Sequence, residues 1–155
     1  MAKEFSKTSD ITYIIKLRDN RKWQDGTPVV GKDIQFTIDR LKENKSIYSA
    51  NVQEITSVEV LDSLTIKITL SQQVPFFEYR LEFPILCSHH YENENFYETT
   101  KLPIGTGMYT IEKQEGNSIL LQKNVYYPDY DNISTPEVKI FQYASMGEVF
   151  NSFKM

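Results

Sequence analysis

The chain has 155 residues, of which 40% are hydrophobic and 25% charged, as expected for one globular domain with a substantial core. Its net charge is −4 and it has no strongly basic stripe, so nucleic acid is not expected as a partner. The single cysteine, Cys87, excludes an internal disulfide and a thiolate metal cluster. No apolar run approaches the roughly 18 residues of a membrane helix, and the polar start MAKEF is unlike a signal peptide.

A strand and a helix are predicted in the first third of the chain. The run ITYIIKLR (residues 11–18) is rich in β-branched and aromatic residues, which favour a strand. Helical spacing then extends over residues 32–43, where the apolar stripe consists of Ile34, Phe36, Ile38 and Leu41. Asp33 and Asp39 are expected on the opposite, exposed face of this helix.

The rest of the chain predicts mostly antiparallel strands. Residues 57–70 indicate a hairpin, because apolar and polar residues alternate on both sides of Asp62–Ser63, a predicted two-residue loop. A short helix is expected over 74–84, with Pro75 in its first turn and Pro84 at its end. Three strands and the start of a final helix follow, at 108–113, 118–123, 136–143 and 145–155. The mixture predicts an α+β fold with a mixed, largely antiparallel sheet and flanking helices.

The segment WQDGTP allows two interpretations, an acid–base site at Asp25 or a structural turn. Asp25 can accept hydrogen bonds from the backbone that follows it, Gly26 tolerates positive φ, and Pro28 sets the exit. No histidine or second carboxylate lies close in sequence to form a catalytic pair. We therefore predict a structural turn, with Trp23 as a core residue rather than a surface that binds a ligand. The residues of this turn are Trp23, Asp25, Gly26, Thr27 and Pro28.

Two other motifs suggest chemistry only weakly. PIGTGMY lacks the spacing and lysine of a phosphate loop, so Gly105, Thr106 and Gly107 are interpreted as a glycine-bent chain crossing. The pair His89–His90, with Glu92 and Glu94, is assigned to a solvated connector over residues 89–101, because adjacent histidines project in different directions. Cys87 is expected to be a small buried residue. No catalytic residue, metal ligand or cofactor is predicted.

The order of these segments resembles a known family. TYIIKLRDNRKWQDGTPVVGKDIQFTIDRL is similar to the signature segment of the family 5 extracellular solute-binding proteins, the oligopeptide-, dipeptide- and nickel-binding components of ABC importers. KSIYSA, the hairpin, VPFFEYRLEFPIL, PIGTGMYTIEK and SILLQKNVYYPDY match further family segments in order, from about Glu4 onward. Val30 stands where the family often has a capping Thr or Ser, and Met108 replaces its usual Pro.

The resemblance implies a partial lobe of a type II periplasmic-binding-protein-like fold. Residues 1–155 would be a single domain, an excised inner portion of lobe one. Within it, about 4–110 would be an inserted subdomain and about 111–155 strands returning to the main lobe. The missing signal segment and a final helix that stops at Met155 agree with an excised piece.

The function implied by the resemblance is binding without catalysis. The longer parent would capture a peptide between two lobes and deliver it to ABC transporter permease subunits. Tyr48 matches the position that lines the cleft in peptide binders, and Gly105–Gly107 would lie near the lobe crossing. The parent would sit on the extracellular face, lipid-anchored, or in the periplasm, and would touch the membrane only through an anchor absent from this chain. The alternative is a solute-sensing or interaction domain of a regulator, and an enzyme is the third possibility.

Overall fold

The computed structural model describes residues 1–95 and 98–153, and within them seven strands form two separate antiparallel sheets. The first sheet has the order β1-β2-β4-β3, with β1 at Ala2–Lys7, β2 at Thr12–Leu17, β3 at Ile55–Val60 and β4 at Thr65–Leu70. The second has the order β5-β6-β7, with strands Tyr109–Glu115, Ser118–Lys123 and Glu137–Phe141. The predicted α+β class with antiparallel pairing is confirmed.

The helices are few and mostly short. Helix α1 covers Gly31–Glu43, as its apolar stripe predicts, while α2 covers Ser88–Tyr91 and α3 covers Met146–Ser152. The segment expected as a short helix after Pro75 is a 3-10 helix at Phe77–Leu81, preceded by Phe76 in the left-handed region with φ of 54°. Further 3-10 turns lie at Ser49–Val52 and Tyr130–Asn132. Among the described residues, no helix has the length and apolar character needed to cross a membrane.

The main core lies between α1 and the first sheet. Alternate side chains of β2 and β4 point to this side because side chains alternate across a strand, and α1 adds Ile34 and Ile38 from one face. A second cluster packs beside it and consists of Trp23, Val29, Cys87 and Tyr91. It joins the loop before α1 to α2.

Several predictions about local structure need correction. Strand β1 has no counterpart in the sequence prediction; all six of its side chains are exposed, and it exists by pairing with β2. The hairpin β3–β4 is confirmed, but four residues, Leu61–Leu64, separate its strands instead of the predicted two. Asp33, which the sequence predicts on the exposed face of α1, is buried. Burial is possible because its carboxylate accepts hydrogen bonds from the surrounding segments.

The predicted connector at residues 89–101 begins inside α2, so His89 and His90 belong to a short helix rather than to a wholly irregular segment. Phe96 and Tyr97 of this connector, like the last two residues, Lys154 and Met155, lie outside the described residues. The division of the chain near residue 110 stays a prediction, and strand β5 runs across that position.

Candidate functional site

The WQDGTP segment forms a tight turn that starts at a buried tryptophan. The backbone N–H of Trp23 donates to the carbonyl oxygen of Thr27 at 2.8 Å, and that of Gly26 donates back to Trp23 at 3.0 Å. Gly26 has φ of +86°, and a Cβ there would lie 2.7 Å from Cζ of Tyr126. The positive φ therefore favours glycine at this position, and a Cβ would in addition displace the ring of Tyr126.

A buried carboxylate connects this turn to α1 and α2. Oδ2 of Asp33 accepts from the indole N–H of Trp23 and from the backbone N–H of Val30, each at 3.0 Å. Its Oδ1 accepts from the backbone N–H and the hydroxyl of Ser88, at 2.8 and 2.7 Å. Four donors from three segments thus converge on one side chain, which makes Asp33 the polar centre of the second core cluster.

Asp33 also supplies one half of a capping box at the start of α1. Val30 occupies the N-cap position of α1 and offers no side-chain acceptor, but the carboxylate three residues later reaches back to its backbone N–H. Without a hydroxyl at Val30 the other half is missing, and the backbone N–H of Asp33 donates instead to the carbonyl oxygen of Val30 at 3.0 Å.

A second carboxylate, Asp25, lies near the surface and meets a histidine from α2. Its Oδ1 accepts from the backbone N–H and the hydroxyl of Thr27, at 2.9 and 2.6 Å. Its Oδ2 lies 2.6 Å from Nε2 of His89. Sγ of Cys87 lies 3.2 Å from Nδ1 and 3.5 Å from Nε2 of the same ring. The fold thus brings Asp25 to Cys87 and His89, two near neighbours that lie far from it in the sequence.

The titration behaviour of these groups follows from their surroundings. Partial burial raises the pKa of Asp25, but hydrogen bonds from Thr27 and His89 outweigh it and bring that pKa down to about 2. Burial raises the pKa of the Cys87 thiol to about 11, with the nearby carboxylates of Asp33 and Asp25 adding to the effect. The sulfur is 0% exposed and is protonated at neutral pH, so the group lacks an accessible thiolate nucleophile.

The segment predicted as a chain crossing bends at residues 106–108. The carbonyl oxygen of Gly105 accepts from the backbone N–H of Gln24 at 3.1 Å, and that of Gly107 accepts from Nδ2 of Asn124 at 2.8 Å. Neither glycine has positive φ, and a Cβ on Gly107 would meet no described atom within 4 Å. The bend therefore links the turn to the second sheet, and the described neighbours do not require glycine there. The role at a lobe crossing stays a prediction.

Tyr48, the residue predicted to line a ligand cleft, is half-buried at the start of a 3-10 turn. It borders an open groove of about 300 Å³ between the end of α1 and the segment before α2. Arg40 and Asn44 place polar groups along this groove, and its remaining lining residues are Thr37, Leu41, Ser46, Pro84 and Leu86. Neither Asp25 nor Asp33 lines this groove, although Thr37, which does, donates a hydrogen bond to the backbone of Asp33.

Comparisons with known proteins agree with this architecture. A sequence model of the bacterial extracellular solute-binding proteins, family 5 Middle, matches residues 1–150. A Brucella ovis protein provisionally named an ABC transporter peptide-binding protein is 38% identical over 78 residues, which are 48% of this chain and 15% of that protein. A Brucella melitensis binding protein, also provisionally named, is 27% identical over 154 residues, or 89% of this chain and 24% of that protein.

Solved structures extend the likeness to the whole chain. NikZ from Campylobacter jejuni, solved in complex with Ni(L-His), is 31% identical with a TM-score of 0.85, and the match covers 99% of this chain and 32% of NikZ. The substrate-binding protein CtaP from Listeria monocytogenes is 26% identical with a TM-score of 0.79, over 99% of this chain and 33% of CtaP. The chain thus spans about a third or less of the proteins that it matches. Because the family match takes in nearly all of its residues, the chain belongs to the bacterial extracellular solute-binding proteins of family 5.

Proposed function

We propose that this chain is part of the substrate-binding component of an ABC importer, which captures peptides and delivers them to permease subunits in the membrane. The observation that carries the proposal is the family match over residues 1–150. The provisional name of the Brucella ovis relative supports peptide as the ligand class. On this account the protein acts on the extracellular side and catalyses no reaction, and a lipid anchor in the longer parent would hold it at the membrane.

The proposal places this chain on one side of a two-lobe cleft. Its solved relatives are about three times longer, which supports a parent with a second lobe. Residues from about 4 to 110 would form the inserted subdomain, and those from about 111 to 155 would return to the main lobe near Gly105, Thr106 and Gly107. Closure of two lobes about a ligand desolvates it on both sides, which a single wall cannot do.

Tyr48 is the residue that we expect to contact the peptide. Its ring offers a large rigid surface with a polar tip, and the adjoining groove carries both apolar carbon and the polar groups of Arg40 and Asn44. Such a surface suits a ligand whose backbone is bound while its side chains vary.

The test is calorimetry of the full-length protein with a mixed pool of tri- to pentapeptides. Tyr48→Ala is expected to weaken binding about tenfold, on the order of 1.4 kcal/mol. The matched control is Tyr79→Ala, because Tyr79 is also a surface tyrosine but lies outside the Tyr48 groove. Equal affinities for both variants would remove Tyr48 from the site.

A parallel titration with the nickel–histidine complex separates the two ligand classes represented among the relatives. Binding of that complex without any peptide binding would contradict the peptide assignment. The regulator alternative has its own discriminator, since a DNA-binding segment in the full-length gene would favour sensing, whereas adjacent permease genes would favour transport.

A further inference from the structure

The cluster of Asp25, Cys87 and His89 joins three metal-ligating side chains at a place that the peptide-binding function does not use. Oxygen, sulfur and nitrogen atoms from these three residues all lie within 4.8 Å of one another. Asp25 comes from the turn before α1, and the other two flank the start of α2, so the cluster bridges two segments. None of the three residues lines the groove at Tyr48.

We propose that Asp25, Cys87 and His89 form a binding site for a divalent cation of borderline softness, with Zn²⁺ as the representative ion. A set of one sulfur, one imidazole nitrogen and one carboxylate oxygen suits Zn²⁺, whereas Mg²⁺ and Ca²⁺ prefer oxygen ligands alone. Three protein ligands leave a fourth tetrahedral position, which a water molecule can fill. The proposal does not rest on the ligand that the parent transports.

The distances can be compared with those of a tetrahedral zinc site. Ordinary Zn–N and Zn–S bond lengths place the two ligand atoms about 3.6 Å apart, and Nε2 of His89 lies 3.5 Å from Sγ of Cys87. Sγ is closer still to Nδ1, at 3.2 Å, so the imidazole ring must turn to direct Nε2 at an ion shared with the sulfur. A nitrogen and an oxygen ligand would be about 3.3 Å apart. The observed 2.6 Å between Nε2 of His89 and Oδ2 of Asp25 is a hydrogen bond. Metal binding at Nε2 therefore requires the proton of this bond to move to Nδ1, the other ring nitrogen, and the two atoms to separate slightly.

The surroundings fix the carboxylate ligand, whereas the sulfur ligand is 0% exposed. Thr27 donates two hydrogen bonds to the other oxygen of Asp25, which fixes the carboxylate while leaving Oδ2 directed at the histidine. The side chains of His89 and Asp25 are 48% and 38% exposed, so an ion can reach these two ligands from solvent. The His89 side chain must shift for the ion to reach the buried sulfur of Cys87. Binding releases the thiol proton of Cys87 to the buffer, since the thiolate is the form that ligates zinc.

The neighbouring histidine does not share this arrangement. Nε2 of His90 lies 3.2 Å from the carbonyl oxygen of Leu102, and its ring packs edge-on against Tyr91. The two adjacent histidines do project in different directions, as the sequence indicates. One of them, however, meets partners from distant segments. The assignment of His89 to a wholly solvated connector is therefore wrong, whereas the expected absence of a metal ligand stays a prediction that this proposal opposes.

The experiment uses the purified 155-residue chain, freed of metal by a chelator and titrated with Zn²⁺ by calorimetry. His89→Ala is expected to lower zinc affinity roughly a hundredfold, since it removes a direct ligand. The matched control is His90→Ala, which should change the zinc affinity by less than about twofold. Equal losses in the two variants, or no binding by the wild-type chain, would overturn the proposal.

A second measurement tests the sulfur ligand in the wild-type chain, so its outcome does not depend on replacing a buried residue. Titration of the wild-type chain with Co²⁺ should produce a thiolate-to-cobalt charge-transfer absorption in the near ultraviolet. Cys87→Ser should abolish this absorption, and His89→Ala should weaken it. Cobalt binding without a thiolate band would show that Cys87 is not a ligand and would overturn the proposed site even if Cys87→Ser failed to fold.

Discussion

The two sheets of this chain differ in what covers them. In the first sheet, β2 and β4 alternate between buried and more exposed side chains, and Ile66 and Ile68 are 0% exposed beneath α1. In the second sheet, no described strand residue is buried, and Ile140 and Phe141 are each 47% exposed. Both sheets are antiparallel ladders of similar strand length, so pairing alone does not produce a core.

The difference shows what each half needs from its surroundings. The first sheet faces an amphipathic helix of the same chain, so the apolar face of the sheet is buried within this chain. The second sheet is followed by α3, whose apolar side chains Met146 and Phe150 are themselves exposed, with Phe153 beyond it. Exposed apolar groups of this kind are typical of a surface that another segment covers. If the chain belongs to a longer two-lobe protein, as we propose, we expect another segment of that protein to cover the second sheet.

The largest effect is expected at the buried carboxylate that holds the turn against α1 and α2. Asp33→Ala removes the acceptor of four hydrogen bonds and leaves buried donors of Trp23 and Ser88 unpaired. We expect a loss of about 3–5 kcal/mol in the free energy of unfolding, measured by urea denaturation. Asp39→Ala on the exposed face of the same helix should change it by less than about 0.5 kcal/mol. A small effect at Asp33 would show that the junction does not depend on this carboxylate.

The comparison of the sheets is tested directly by one substitution in each. Ile68→Ala opens a cavity in the covered sheet and should reduce the free energy of unfolding by about 2–5 kcal/mol. Ile140→Ala is the matched change in the other sheet, where the side chain is already half in water, and should reduce it by less than about 1 kcal/mol. Similar losses in urea denaturation would mean that the second sheet is as well packed as the first.

A smaller effect is expected where the turn contacts the segment after β6. Gly26→Ala places a side chain at positive φ and against the ring of Tyr126, and should destabilise the chain by roughly 1–3 kcal/mol in thermal unfolding. Gly107→Ala, at a position with ordinary φ and open space among the described atoms, should be nearly neutral. Adding Tyr126→Ala to Gly26→Ala should recover the part of the loss due to contact. Equal effects at Gly26 and Gly107 would contradict the geometry of the turn.

Much of the fold could be predicted because its signals are local. The period-two alternation of residues 64–70 and the helical spacing of Ile34 and Ile38 report the buried faces directly. Strand β1 gave no such signal, because none of its side chains is buried and it is held by backbone pairing with β2. A strand of this kind can be predicted only when the position of the neighbouring strand is known.

The polar centres were harder to predict for two different reasons. Asp33 did carry a local signal, since an acidic residue three positions after an N-cap can bond back to it, and Val30 has no side-chain acceptor of its own. The helical stripe outweighed that signal. Asp25 and His89 are 64 positions apart, and their contact depends on how α2 packs beside the turn. The sequence contains no spacing rule that would report it.

Calorimetry of the 155-residue chain with the same peptide pool tests the central claim that this chain is one wall of a larger binding site. A peptide laid on the groove at Tyr48 would keep one side in water and would lose about 1–2 kcal/mol of conformational entropy per ordered residue. We predict binding no tighter than about millimolar, near −4 kcal/mol, while the full-length protein binds far more tightly. Micromolar binding by the 155-residue chain alone would place a complete site within it and contradict the two-lobe account.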